Sequence, residues 1–307
     1  MWVCLHYKTI IIMSKKILVI GSSNTDMTVK SEKMPAPGET VLGGVFVMGP
    51  GGKGANQAVA AKRLGGDVSF VCKLGKDIFG DNAIEGYNRE GIDTSHILRS
   101  DMASGVALIL VDSNAENCIA VAPGANNDLS PEDIESLAGL IKEADYLILQ
   151  LEIPIESVLK AAKIAHEAGV YVILNPAPAC PLPEELFKYL SLITPNAGEV
   201  ELLTGVSGEL DEKVEALRKM GVEDVIITLG SKGSYVAAAG EPSVLVPALK
   251  VNAVDTTAAG DTFCGALCVA MSEGKSLKEA AEFATKASSL TVQKMGAQSS
   301  IPYRKDL

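Results

Sequence analysis

Apolar, strand-like runs alternate with helical ones over most of this 307-residue chain, and that alternation constrains its fold more than any other feature. Strands joined through helices lie parallel, with the helices covering both faces of the sheet. The clearest stretch runs from a strand at 146–151 through a helix at 155–168, stopped by Gly169, to strands at 170–174 and 192–194. A helix at 211–220 with Gly221 as its stop follows, then a strand at 224–228 and two helices, about 261–272 and 277–294. Ser130, Pro131 and Asp133 read as a helix start: a cap, a proline in the first turn and an acid near the positive end. The expected class is α/β, a doubly wound, mostly parallel sheet flanked by helices.

Two regions break the rhythm. Residues 27–48, and the pair 105–111 and 117–121 separated by a polar turn, read as antiparallel strands. Ligands of open parallel sheets bind at the carboxyl ends of the strands, so a small β-sheet inserted between early units would cover that edge as a lid. We therefore expect one domain over 13–307, with lid strands from about 27–48 and 103–121. Residues 1–12 carry no cationic start, Lys8 interrupts their apolar run and no small-residue cleavage site follows, so they read as a non-structural extension and not an export signal.

Charge and cysteine usage exclude several partners. With 27 Lys plus Arg against 38 Asp plus Glu, the net charge of −11 repels polyanions, which argues against nucleic acid. The six cysteines (Cys4, Cys72, Cys118, Cys180, Cys264, Cys268) contain no C-x-x-C pair and suit a reducing cytosol. None of the three histidines has metal-site spacing, and no stretch is long enough to span a membrane.

The chemistry concentrates in a few loops. Asp255-Thr-Thr-Ala-Ala-Gly-Asp261 places small residues ahead of a carboxylate at a helix start. Backbone N–H groups at Ala258, Ala259 and Gly260 can reach an anion there, and the helix adds a positive dipole end. Asp261 is poorly suited to hold phosphate but well suited to take a proton from an attacking hydroxyl, which points to phosphoryl transfer. A loop that merely opens a core helix has the same composition. Gly49, Gly51 and Gly54 form G-x-G-x-x-G, yet the first strand lies about thirty residues earlier, against a dinucleotide fingerprint. Val47 and Gly54 stand where a P-loop needs glycine and Ser or Thr. What remains is a turn opening a helix at 55–64, with Lys53 and Asn56 offered to a polar ligand, or a turn and nothing more.

Asn24 and Asp26, just past the first strand, can bracket vicinal hydroxyls, although turn chemistry alone favours both residue types. Glu152, Asn196 and Glu199 fall at the same sheet edge, where a carboxylate would hold magnesium directly or through water. The glycine-bearing turn 228–233 could line a nucleotide.

These residues resemble the ribokinase-type carbohydrate kinase family. Both family signatures are present, Gly51-Gly-Lys-Gly-Ala-Asn-Gln-Ala and Asp255-Thr-Thr-Ala-Ala-Gly-Asp-Thr-Phe, with Pro37-Gly-Glu-Thr, Asn175-Pro-Ala-Pro-Ala, Thr194-Pro-Asn and Gly296-Ala-Gln in order over about 16–304. The resemblance implies ATP-dependent phosphorylation of D-ribose at O5. It implies pentose contacts at Asn24, Asp26, Gly52, Lys53, Asn56 and Glu152, Asp261 as the base, and Ala259 and Gly260 as anion-hole donors. Asn196 and Glu199 would organise phosphate and hydrated Mg²⁺. Thr228, Leu229, Gly230, Ser231, Lys232 and Gly233, with Gly260 and Thr285, would line the nucleotide. A K⁺ site would use Asp255, Thr257, Thr291, Lys294, Gly296 and Ser300. The family also implies a cytoplasmic homodimer formed by pairing lids. Cys264 stands where asparagine is common, and Thr285 where a histidine often faces adenine. The alternatives are a kinase for 2-deoxyribose, fructose or adenosine, a non-catalytic sugar sensor, and, more weakly, a dehydrogenase.

Overall fold

Among the described residues, fourteen strands follow one another in chain order: β1 (Lys16–Ile20), β2 (Asn24–Lys30), β3 (Val45–Gly51), β4 (Asp67–Val71), β5 (Lys73–Gly75), β6 (Leu98–Ser100), β7 (Gly105–Val111), β8 (Asn117–Ala122), β9 (Tyr146–Leu149), β10 (Tyr171–Leu174), β11 (Leu192–Ile193), β12 (Asp224–Thr228), β13 (Ser234–Ala237) and β14 (Val244–Val246). The computed structural model describes residues 15–114 and 116–307, so the reading of residues 1–12, with Cys4 and His6, lies outside the described residues.

Eight strands form the main sheet in the order β14-β13-β12-β11-β10-β9-β1-β4. It is parallel from β4 to β12, and β13 and β14 add an antiparallel edge. The central strands are buried on both faces, as strands under two helical layers must be. Along β1, Ile17 and Val19 pack into the core beneath helices Lys53–Arg63, Ala259–Ser272 and Leu277–Thr291, while Leu18 and Ile20 pack beneath helix Ile155–Glu167. Helix boundaries follow the expected punctuation. Ser130 and Asp133 form a reciprocal capping box at helix Pro131–Ser136, and Gly169, at φ 78°, follows helix Ile155–Glu167. No described helix is long and apolar enough to cross a membrane.

The lid is a separate sheet, β3-β2-β7-β8. β2 with β3 and β7 with β8 are antiparallel as expected, but β2 and β7 pair in parallel, so the lid is mixed. Both strands leave the body of the protein and run outward, which sets them side by side in one direction. β2 also begins earlier than expected: Asn24 and Asp26 sit on a lid strand, not in a turn. Alternation then places Asn24, Asp26, Thr28 and Lys30 on one face and Met27 and Val29 on the other.

Candidate active site

The glycine-rich segment is where the lid strand β3 turns into helix Lys53–Arg63. Its glycines are required by crowding. A Cβ at Gly51 would lie 2.1 Å from Asp26 Oδ2, and one at Gly54 would lie 2.6 Å from the Ser22 amide nitrogen. Gly52 has φ 90°, and its Cβ would lie 2.8 Å from the Asn24 amide nitrogen. The motif thus brings β2, the loop after β1 and the helix start into backbone contact. Glu152 locks the same corner, its Oε2 accepting from the Lys53 amide at 2.9 Å and from Ser22 Oγ at 2.5 Å.

Four carboxylates and one lysine share this corner. Burial, then Glu152 and Asp261, push the Asp26 carboxyl from its ordinary 3.8 up to about 6, and no hydrogen bond acts against them. Lys53 forms no direct ion pair among the described residues. Burial works against its ammonium, but Asp261, Glu152 and Glu199 outweigh that and hold its pKa above the usual lysine value. Burial raises Glu199 as well, over the opposing Asn196 amide and Lys53.

Asp261 sits in the first turn of helix Ala259–Ser272 and is 6% exposed. Its Oδ2 accepts from Asn56 Nδ2 at 2.9 Å and its Oδ1 from Gln57 Nε2 at 3.1 Å. Burial raises its pKa against the opposing Lys53, Asn56 and Gln57. Such a carboxylate is oriented and more basic than usual. The helix start is strained: Ala258 has φ 59°, the only positive φ of a non-glycine among the described residues, at a cost on the order of 1–3 kcal/mol. Ala259 donates to Thr256 O at 3.2 Å and Thr262 to Ala258 O at 2.8 Å. The Gly260 and Asp261 amides donate to no carbonyl among the described residues, and a Cβ at Gly260 would meet nothing within 4 Å. The open donors are therefore Gly260 and Asp261, with Ala259 engaged in the turn.

Beside this seat, Asn196, Ala197, Gly198, Thr228, Leu229, Gly230 and Lys232 line a cleft of about 280 Å³. Asn196 caps helix Ala197–Thr204, accepting from the Gly198 and Glu199 amides, while Glu199 Oε2 accepts from the Asn196 amide at 2.7 Å. Ser231 and Gly233 belong to the same turn without lining the cleft; Gly233 has φ 106° and a Cβ there would lie 2.0 Å from Val246 O. Thr285, on helix Leu277–Thr291, is buried and is not part of the lining. Cys264 lies 3.2 Å from Thr194 Oγ1, its thiol pushed up to about 12 by burial, and so it is neutral.

The Asp255 group is brought together in part. Asp255 Oδ1 accepts from the Thr257 amide at 2.9 Å and hydroxyl at 2.7 Å, and Oδ2 accepts from the Gly296 amide at 2.8 Å. Burial opposes ionisation, but the Thr257 hydroxyl, the Gly296 and Thr257 amides and Lys30 hold this carboxyl below its usual range. Thr291 and Ser300 are buried, the Thr291 hydroxyl bonding Thr262 Oγ1 at 3.0 Å and Ala287 O at 3.3 Å and the Ser300 hydroxyl donating to Ala297 O, while the Lys294 amide donates to Thr291 O at 3.1 Å.

Sequence reasoning missed the amides behind these groups. Gln57 ties Asp261 to Asn175, and accepts from Gln150 Nε2 at 2.6 Å. Asn126, in the turn Gly124–Asp128, bonds Ser23 and Asn24. The available signal for Gln57 was two consecutive amides inside an alanine-rich helix stripe; Asn126 had none.

Known proteins share this fold. The family profile described as pfkB family carbohydrate kinase matches residues 14–304. The ribokinase of Haemophilus influenzae is 43% identical, with 96% of this chain and 97% of that protein covered. Among solved structures, the ribokinase of Thermotoga maritima superposes with TM-score 0.89 at 41% identity, covering 95% of this chain and 97% of that one. The Arabidopsis thaliana ribokinase complexed with ribose and ATP gives TM-score 0.87 at 35% identity, covering 95% and 97%. A lid over one rim, amide-held Asp261 at an open helix start and a match along nearly the whole chain have one reading: this chain belongs to the pfkB family of carbohydrate kinases.

Proposed function

We propose that this chain is a ribokinase, transferring the γ-phosphoryl group of ATP to O5 of D-ribose. The observation that carries the reading is Asp261, a carboxylate of raised pKa held through both oxygens beside two open helix-start amides. Asp26, Asn24, Gly52, Lys53, Asn56 and Glu152 bind the pentose. Asp26 has acceptors without donors, and Asn56 Oδ1 is buried without a partner, so each meets a sugar hydroxyl. Asp261 takes the O5 proton as that oxygen attacks the γ-phosphorus and ADP leaves with the bond between the γ-phosphorus and the bridging oxygen. The Gly260 and Asp261 amides, beside Ala259, stabilise the equatorial oxygens. Thr228, Leu229, Gly230, Ser231, Lys232 and Gly233 form the nucleotide-binding turn, with Asn196 at the phosphates; Thr285, buried away from the cleft, is left out of this set.

The residues fit both expected cations. Glu199 is one carboxylate with one oxygen committed to Asn196, which suits a hydrated Mg²⁺ that supplies charge neutralisation at the phosphates. Asp255 stays ionised despite burial, held by Thr257 and Gly296, and that suits K⁺, with Thr291, Lys294 and Ser300 as further proposed contacts. The loop so stiffened leads into the anion seat.

One assay tests this reading: ADP release with ribose, 2-deoxyribose, fructose and adenosine, in potassium and in sodium-only buffer. Ribose is expected to give the highest kcat/KM, and potassium the higher rate. A better rate with another acceptor would reassign the substrate; equal rates in the two buffers would remove the K⁺ site; ADP release with none of them would favour the sensor.

The exposed apolar face of the lid supports a homodimer. Its outward face carries Met27, Val29, Phe46, Met48, Leu108 and Leu110, with Phe46 at 60% and Leu108 at 55% exposure. Sedimentation is expected to show a dimer for the wild type and a monomer for Phe46→Glu; a monomeric wild type, or a dimeric variant, would contradict pairing through the lids.

A further inference from the structure

Asn126 belongs to no motif and touches groups 103 residues earlier in the chain, yet its amide has only one possible orientation. The Ser23 N–H can only donate, and it donates to Asn126 Oδ1 at 2.9 Å; the Ser23 carbonyl can only accept, and it accepts from Asn126 Nδ2 at 3.2 Å. Two backbone groups of fixed polarity therefore aim the Asn126 NH₂ at Asn24, whose Oδ1 accepts from it at 2.7 Å. Asn24 is turned in consequence. Its carbonyl is held on Asn126, and its NH₂, which has no hydrogen-bond partner among the described residues and is not enclosed, is left to donate to a ligand.

Two residues on, and on the same face of β2, Asp26 offers only acceptors. A hydroxyl pair that accepts from one side chain and donates to the other matches this arrangement. We propose that Asn126 is a positioning residue for sugar selectivity: by fixing Asn24 as a donor beside the acceptor Asp26, it makes the pair complementary to a pentose carrying adjacent hydroxyls at C2 and C3. This rests on the pentose-kinase reading above. Without the Asn126 donor, Asn24 is free to present its carbonyl, and two neighbouring acceptors no longer distinguish the diol from a sugar lacking one of its hydroxyls. Asn126 is 2% exposed and its turn is pinned by the Ala125 amide donating to Ala103 O at 2.8 Å, at the base of the lid strand β7, so the orientation persists without ligand.

The test measures ADP release by the full chain with ribose, 2-deoxyribose and 3-deoxyribose. Asn126→Asp keeps the size and replaces the donor with an acceptor. Its kcat/KM for ribose is expected to fall about 10- to 100-fold, mostly through KM, with a smaller loss for at least one deoxy sugar, so that the ribose preference collapses. Gly105→Ala reaches the same pair independently, since a Cβ there would lie 2.2 Å from Asn24 Oδ1 and 2.3 Å from Asn126 Nδ2. It should shift the preference in the same direction. If the wild type prefers ribose and either folded variant keeps both preferences within about threefold, the Asn126 role is overturned while the kinase reading stands. A wild type that turns over no pentose overturns both.

Discussion

Asp261→Asn is expected to bind ribose nearly as the wild type does and to lose about 10²–10⁴ in kcat. The separation follows from what the side chain touches. Its two oxygens already accept from Asn56 and Gln57, so ribose recognition does not depend on its charge. The variant should fold, because Asn is isosteric with Asp and its Oδ1 can still accept from Gln57 Nε2. Gln57 can stay in place, held by Asn175 and Gln150. What the variant cannot do is take a proton. In the wild type, burial raises this carboxyl above the usual range, so kcat should fall as pH drops through its pKa; Lys53, Asn56 and Gln57 limit the rise, while Glu152, Asp26 and Glu199 face it with like charge. That acid limb should vanish in the variant. Single-turnover kinetics with ribose calorimetry decide the matter, and a variant with ordinary turnover removes Asp261 from the reaction.

The sequence was most legible where one residue type has one structural use. Gly169 could only stop a helix, Ser130 with Asp133 could only open one, and the Asp255 to Asp261 run could be placed at a helix start. Where the outcome depended on distant partners it was less legible. Asn24 and Asp26 have turn-forming side chains, and the strand they begin exists because β7, from much later in the chain, pairs beside it. The edge strands β13 and β14 are only four and three residues long, and their hairpin signal at Gly240 and Pro242 went unused. The glycines at 49, 51 and 54 match a dinucleotide fingerprint in spacing alone, which the distant first strand argued against, and in the fold Gly51, Gly52 and Gly54 serve the crossing of lid and helix. Gln57 and Asn126 were missed for a related reason. An amide that orients another side chain leaves at most a faint mark, as the paired amides Asn56 and Gln57 do in their alanine-rich helix and Asn126 does not.

Asp26→Asn should separate stability from function in opposite directions. The half-buried Asp26 carboxylate lies among like charges with no donor to satisfy it, and its pKa raised to about 6 reflects what that costs the empty protein. The folded pKa lies above the ordinary 3.8, so the stabilising form is the protonated one. Its contribution is complete below about 3.8 and is lost as pH rises through about 6. Above pH 7 the ionised carboxylate therefore destabilises the empty enzyme, on the order of 1–3 kcal/mol. Removing the charge should raise the melting temperature at pH 8, and the gain should shrink as pH falls toward 4. The same change should reduce kcat/KM for ribose by about 10², because an amide accepts one hydroxyl where a carboxylate accepts two more strongly. In the wild type, KM for ribose should rise as pH drops below about 6, where Asp26 takes up a proton, and this dependence should be absent from the variant. A variant no more stable than the wild type at pH 8, or one that binds ribose equally well, would mean that the strain of this carboxylate is not what holds the sugar. The result expected here makes ribose the missing partner of a group the fold deliberately leaves unsatisfied, so that sugar binding relieves a cost built into the lid.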